Sequence, residues 1–122
     1  MPRFVVHEHH SRRLHWDLRL EIGNALKSWA VPKQPPLQKG IKRLAVQVED
    51  HALSYINFEG VIKEGYGKGT VKIWDKGSYE IENEKPHKIV LVLRGKKLKG
   101  GYVLLKFKTK ERAKNHWLLF KR

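Results

Sequence analysis

From Leu14 to Ile22 apolar and polar residues alternate without a break. With a side-chain period of two, this puts Leu14, Trp16, Leu18, Leu20 and Ile22 on one face of a strand and His15, Asp17, Arg19 and Glu21 on the other. Gly23-Asn24 is a two-residue turn of the kind that closes hairpins, so Ala25 to Val31 should return antiparallel to it. Phe4 to Val6 reads as a short strand before the hairpin, and Pro32-Lys33-Gln34-Pro35-Pro36 breaks the sheet after it. Arg43 to His51 alternates again, with Leu44, Val46 and Val48 on one face and Arg43, Ala45, Gln47, Glu49 and His51 on the other. Further strands are expected at Thr70 to Trp74, Ser78 to Glu82, Ile89 to Leu93, Gly101 to Lys108 and Trp117 to Lys121, with turns at Asp75-Lys76-Gly77 and Glu84-Lys85-Pro86. No stretch of useful length has helical spacing, apart from a single turn around Asn57 to Gly60.

Eight or nine short strands with turns between them predict an all-β fold, a small closed or nearly closed barrel of mostly antiparallel strands. At 122 residues it should form one domain, residues 1–122, around a single core. Parity places Phe4, Trp16, Leu18, Trp29, Leu44, Val46, Ile73, Val90, Val92, Leu104 and Leu118 in that core.

Composition adds a partner class. The chain has a formal charge of +14 and a pI near 10.2, which calls for a polyanion, most simply nucleic acid. From Arg94 to Arg122 there are eleven Lys or Arg against one Glu, so most of the excess lies in the last quarter of the chain. The lack of cysteine excludes disulfides and thiolate zinc sites, leaving any metal to nitrogen and oxygen ligands. No segment reads as a signal peptide or reaches the ~20 apolar residues of a membrane span, so a cytoplasmic monomer without membrane contact is expected.

Candidate chemistry concentrates in one place, because four of the seven histidines fall between His7 and His15. His15 and Asp17 stand ~7 Å apart on one strand face, close enough to lean toward one divalent ion, with Arg19 beyond them for an anion. His7, His9 or His10 would supply a third ligand, and two imidazoles with a carboxylate leave coordination positions open for water and substrate. Arg43, Glu49 and His51 repeat the combination of base, acid and histidine on the second strand, with Tyr55 following. Glu64-Gly65-Tyr66-Gly67-Lys68-Gly69-Thr70 lacks the spacing of a phosphate loop and precedes a strand, so it reads as a turn or bulge.

Laid out in order, three blocks carry a resemblance: His9-x5-His15-x-Asp17-x-Arg19-Leu20-Glu21, Leu26-Lys27-Ser28-Trp29-Ala30-Val31-Pro32-Lys33, and Lys42-Arg43-Leu44-Ala45-Val46-x-Val48-Glu49-Asp50-His51-x-Leu53-x-Tyr55. Phe58-Glu59-Gly60-Val61-Ile62 and Trp117-Leu118-Leu119 extend it toward the C-terminus. The chain resembles the 3'-phosphoesterase domain of bacterial ligase D and of free-standing archaeal DNA-repair proteins. By position, the resemblance implies a metal site at His9, His15 and Asp17, with Mn2+ as the usual ion. It also implies phosphate-binding and catalytic roles for Arg19, Lys33, Arg43, Glu49, His51 and Tyr55. The implied activity removes 3'-terminal ribonucleotides and 3'-phosphates from DNA or RNA/DNA primer ends, with ligase and polymerase supplied by separate proteins. The competing reading is a non-catalytic basic barrel that binds single-stranded ends by charge and stacking, which explains the charge but not the histidines.

Overall fold

The computed structural model describes residues 2–65, 67–107 and 115–122. Nine strands follow in order: β1 Arg3–His10, β2 Leu14–Ile22, β3 Ala25–Val31, β4 Lys42–Ala52, β5 Gly60–Ile62, β6 Gly69–Lys85, β7 Lys88–Arg94, β8 Lys99–Lys106 and β9 His116–Lys121. The one helical element among the described residues is a 3-10 turn, Leu53–Asn57, a few residues before the expected turn. No helix is long and apolar enough to cross a membrane.

Eight strands close antiparallel into a barrel in the order β1-β2-β3-β4-β9-β8-β7-β6, with β6 returning to β1 and the short β5 added beside β6. Gly23-Asn24 closes β2 onto β3 as expected, pairing Ile22 with Ala25 and hence Arg19 with Ser28. The expected turn at Asp75-Lys76-Gly77 is absent, because β6 runs unbroken for 17 residues and passes from β1 to β7. Trp74 is instead the extra residue of a bulge, since Val6 faces Asp75 while His7 faces Ile73. Gly77 serves close approach rather than a turn: a Cβ there would lie 2.1 Å from the Arg94 carbonyl oxygen. Buried Asp75 accepts from the backbone N–H groups of Lys76, Lys96, Lys97 and Leu98, and so ties the β7–β8 turn to β6. The expected end of β8 at Lys108 lies outside the described residues.

Phe4, Leu18, Trp29 and Leu104 fill the interior as expected, and Trp16 packs against it from a partly buried position. Parity was inverted on three strands. The interior takes Ala45 rather than Leu44 and Val46, Ile89, Leu91 and Leu93 rather than Val90 and Val92, and Trp117 and Leu119 rather than Leu118. In β7 and β9 both parities are apolar, so alternation carries no information about which faces inward. In β4 the deciding factor is volume. Ala45 pairs with Trp117, whose ring meets Trp29 edge to face at 5.8 Å, leaving room there for only a methyl group.

Ile73 belongs to a second cluster, on the outer wall, where Val5, Leu26 and Ile56 are buried together with Leu53 and Tyr55. The 3-10 turn is therefore held against the outside of β1, β3 and β6. Burying a side chain the size of Ile56 contributes about 1.5–3 kcal/mol to that contact.

Candidate active site

The residues that sequence parity excluded from the barrel interior on β1 and β2 form a buried polar floor on its outer wall. His9 pairs with His15 and His7 with Asp17 across β1 and β2, so three candidate ligands and a fourth histidine become neighbours by register alone. Asp17 Oδ2 lies 3.3 Å from His15 Nε2 and 3.6 Å from His9 Nδ1, and one ligand atom from each of the three residues falls within 4.8 Å of the others.

The tautomers follow from the outer partners, since a carbonyl oxygen accepts and never donates. His9 Nε2 donates to the Gly67 carbonyl at 2.7 Å and His15 Nδ1 to the Arg13 carbonyl at 3.0 Å. The lone pairs of His9 Nδ1 and His15 Nε2 are thereby turned toward the Asp17 carboxylate. Three acceptors aimed at one point, each imidazole oriented by a carbonyl behind it, are the arrangement that a divalent cation fits. Without a cation a shared proton fills the gap, and the hydrogen bond to Asp17 holds the His15 pKa above its ordinary value. Burial alone would raise Asp17, but His15, Arg19 and His9 together hold it below the usual carboxylate range.

Of the other two candidates for the third ligand, His10 turns to Glu8, 2.6 Å away, and His7 turns to Arg19. Arg19, 3% exposed, is wired on every nitrogen. Its Nε donates to His7 Nδ1 at 3.1 Å, its Nη1 to Ser28 Oγ at 2.8 Å and His51 Nδ1 at 3.0 Å, and its Nη2 to Asp17 Oδ2 at 3.3 Å. The Tyr55 ring stacks under the guanidinium at 5.0 Å. Burial next to this cation pushes His7 down to about 4 and lowers His51 as well, so both imidazoles are neutral at pH 7. Burial likewise raises Tyr55, which keeps its phenolic proton.

His51 reaches this face through a bulge. Ser28 pairs with Val48 but Leu26 with His51, so β4 holds one more residue than β3 between those pairs and its parity flips there. The expectation that Arg43, Ala45, Gln47, Glu49 and His51 share one face is corrected accordingly. Ala45 and Gln47 belong with Trp117 on the inner side, whereas His51 joins Arg19 on the outer wall.

Among the proposed site residues, the fold thus brings together His9, His15, Asp17, Arg19, His51 and Tyr55. Glu49 is exposed two residues before His51. Lys33 is exposed just past β3, and Arg43 Nε donates to the neighbouring Gln34 carbonyl at 2.9 Å. Both lie at the barrel end near His15, since Val31 pairs with Trp16. Ser28 was missed, although hairpin register opposite Arg19 would have found it. Gly67 left no readable signal, because its part is played by a backbone carbonyl on a loop.

The family model for the DNA ligase D 3'-phosphoesterase domain matches residues 7–106. The chain belongs to this family. This phosphoesterase domain is 46% identical over 127 residues to the multifunctional non-homologous end joining protein LigD of Pseudomonas aeruginosa, covering 98% of the chain and 15% of that protein. It is 45% identical over 108 residues to the multifunctional non-homologous end joining DNA repair protein LigD of Mycobacterium tuberculosis, covering 84% of the chain and 14% of that protein. The LigD of Mycolicibacterium smegmatis is 44% identical over 120 residues, covering 88% of the chain and 16% of that protein. The phosphoesterase domain therefore spans about 15% of the length of these relatives. They support a phosphoesterase role in end joining, with the hydrolytic site on the outer wall of the barrel.

Proposed function

We propose that the chain is a Mn2+-dependent phosphoesterase that heals 3' ends of nucleic acid. It hydrolyses the phosphodiester of a 3'-terminal ribonucleotide and then removes the 3'-phosphate, leaving the hydroxyl that a ligase joins. The observation that carries this reading is the convergence of His9, His15 and Asp17 lone pairs on one point, joined through Arg19 to His51. Two imidazoles and a carboxylate, in a chain without thiolates, suit Mn2+ and its neighbouring transition metals.

When bound, such an ion supplies Lewis-acid polarisation of a phosphate oxygen and orients water. The protein's own groups do the rest. Because Arg19 can only donate, His51 Nδ1 carries the lone pair and its Nε2 the proton, which makes neutral His51 a hydrogen-bond donor to a phosphate oxygen. Arg19 keeps a fixed positive charge beside the site and needs no reorganisation as charge builds on phosphorus. The Tyr55 hydroxyl is a second donor, and Lys33 and Arg43 offer positive charge to the strand at the His15 end. Glu49, two residues from His51, completes the proposed set.

The substrates are 3' ends of DNA or RNA/DNA primers, the chain acts as a cytoplasmic monomer, and a separate DNA ligase and polymerase complete the repair. Incubation of the purified chain with 3'-phosphate and 3'-ribonucleotide primers, with and without Mn2+, tests the reading. Phosphate and nucleoside release only with metal is expected. Equal release without metal, or none with it, would overturn the proposal.

A further inference from the structure

The barrel has a second feature suited to phosphate, on the side of the wall away from the catalytic floor. A cavity of about 230 Å³ is lined by Lys27, Lys85 and Lys106, with Gln47, Trp29 and Trp117 among its other walls. Glu84 is its one carboxylate, so three ammonium groups border one cavity with a single anion to offset them.

Two of the three cations are placed by the fold. Lys27 pairs with interior Leu20 and so faces the barrel mouth, and Lys106 Nζ is held over the Trp117 ring at 5.9 Å. The Gln47 carbonyl oxygen accepts from Trp117 Nε1 at 3.2 Å, which leaves both protons of its amide nitrogen to donate elsewhere. Trp29 is fully buried, and its Nε1 is a donor with no acceptor among the described residues. A phosphodiester suits this lining, since it is an acceptor on every exposed oxygen and carries the opposite charge.

The mouth also adjoins the catalytic floor. Lys27 follows Leu26, the β3 partner of His51, so the two sites lie on opposite sides of the wall at the same level. We infer that the barrel mouth is a second phosphate subsite, holding a backbone phosphate of the substrate strand as that strand rounds the β3–β4 bulge from the His51 end. The ligand class rests on the nucleic-acid reading above, but binding at the mouth is measurable without turnover.

The test uses the full chain with a short oligothymidylate as probe, read by the indole Nε1–H signals in 1H–15N spectra. The Trp29 and Trp117 signals should shift saturably, and the triple substitution Lys27→Gln, Lys85→Gln and Lys106→Gln should abolish those shifts. The same variant should flatten the salt dependence of binding by roughly 0.7 per lost contact, about 2 in all for three. On a 3'-phosphorylated oligonucleotide it should raise KM roughly tenfold with kcat unchanged, because no group of the catalytic floor is altered. Oligonucleotide binding that leaves both indoles unmoved, or a variant with an unchanged salt slope, overturns the subsite. Orthophosphate shifting the two indoles as strongly as the oligonucleotide would assign the mouth to the free ion and overturn the strand reading. Absence of turnover in the wild type would strike the proposed activity alone, since the spectra and salt slope are read on binding.

Discussion

Arg19 Nη1 donates to His51 Nδ1 at 3.0 Å while Nη2 of the same guanidinium reaches Asp17 Oδ2 at 3.3 Å. One buried cation thus joins the metal-site carboxylate to the histidine that faces the substrate, and fixes the tautomer of that histidine. It follows that His15 and His51, though close in space, serve different partners.

Replacing each by alanine should separate those partners. His15→Ala removes a metal ligand and should weaken Mn2+ binding by at least ~10-fold. His51→Ala should retain metal affinity within a few-fold and lose turnover by ~10² or more. Calorimetric Mn2+ titration of both variants decides the matter: if His51→Ala loses metal as severely as His15→Ala, His51 is itself a ligand.

The Gly67 carbonyl orients His9, and Gly67 holds φ at +92°, a conformation that L side chains rarely adopt. Gly67→Ala should therefore cost about 1 kcal/mol of local strain and rotate the carbonyl away from His9 Nε2. The expected result is a fall in Mn2+ affinity with little change in urea midpoint. Unchanged metal affinity would mean that His9 is oriented by something other than this loop.

Much of this site was legible because one hairpin encodes it. The alternation of Leu14 to Ile22 and the Gly23-Asn24 turn set the faces and register of β2 and β3, and with them the positions of His15, Asp17 and Arg19. What was hidden depends on long-range fit. The β4 bulge that brings His51 outward leaves no mark in a run of alternating residues. Asp75 reads as a turn residue until the β7–β8 backbone is seen folded onto its carboxylate. The inward choice of Ala45 over Leu44 follows from Trp117, more than seventy residues later. The Gly67 contact is made by a backbone atom that every residue possesses.

Asp75 is a stability residue by its partners and its distance in sequence from the catalytic set. It is 4% exposed and accepts from four backbone N–H groups, three of them in the β7–β8 turn. Asp75→Ala leaves those donors without their acceptor and should cost about 3 kcal/mol or more in urea unfolding. Mn2+ affinity of the folded fraction should be unaltered. A loss below ~1 kcal/mol would show that water replaces the carboxylate without penalty.

The last prediction concerns acid. The native His7 imidazole takes up a proton only near pH 4, whereas in the unfolded chain it does so near its ordinary value of 6.5. Between those values the unfolded state binds more protons, so this residue's contribution to stability is full above pH 6.5 and declines as pH falls toward 4. At ~1.4 kcal/mol per pKa unit the decline amounts to no more than about 3 kcal/mol. His51 and Asp17, also lowered on folding, act in the same direction, whereas raised His15 contributes below its unfolded value and loses that contribution as pH rises through its folded one. His7→Gln isolates the first effect, since its amide oxygen can still accept from Arg19 Nε but has no proton to take up in this range. With chelator present, the wild type should lose roughly 2 kcal/mol more than the variant between pH 7 and pH 4.5 in urea unfolding. Equal losses in the two proteins would mean that His7 already carries its proton in the native state.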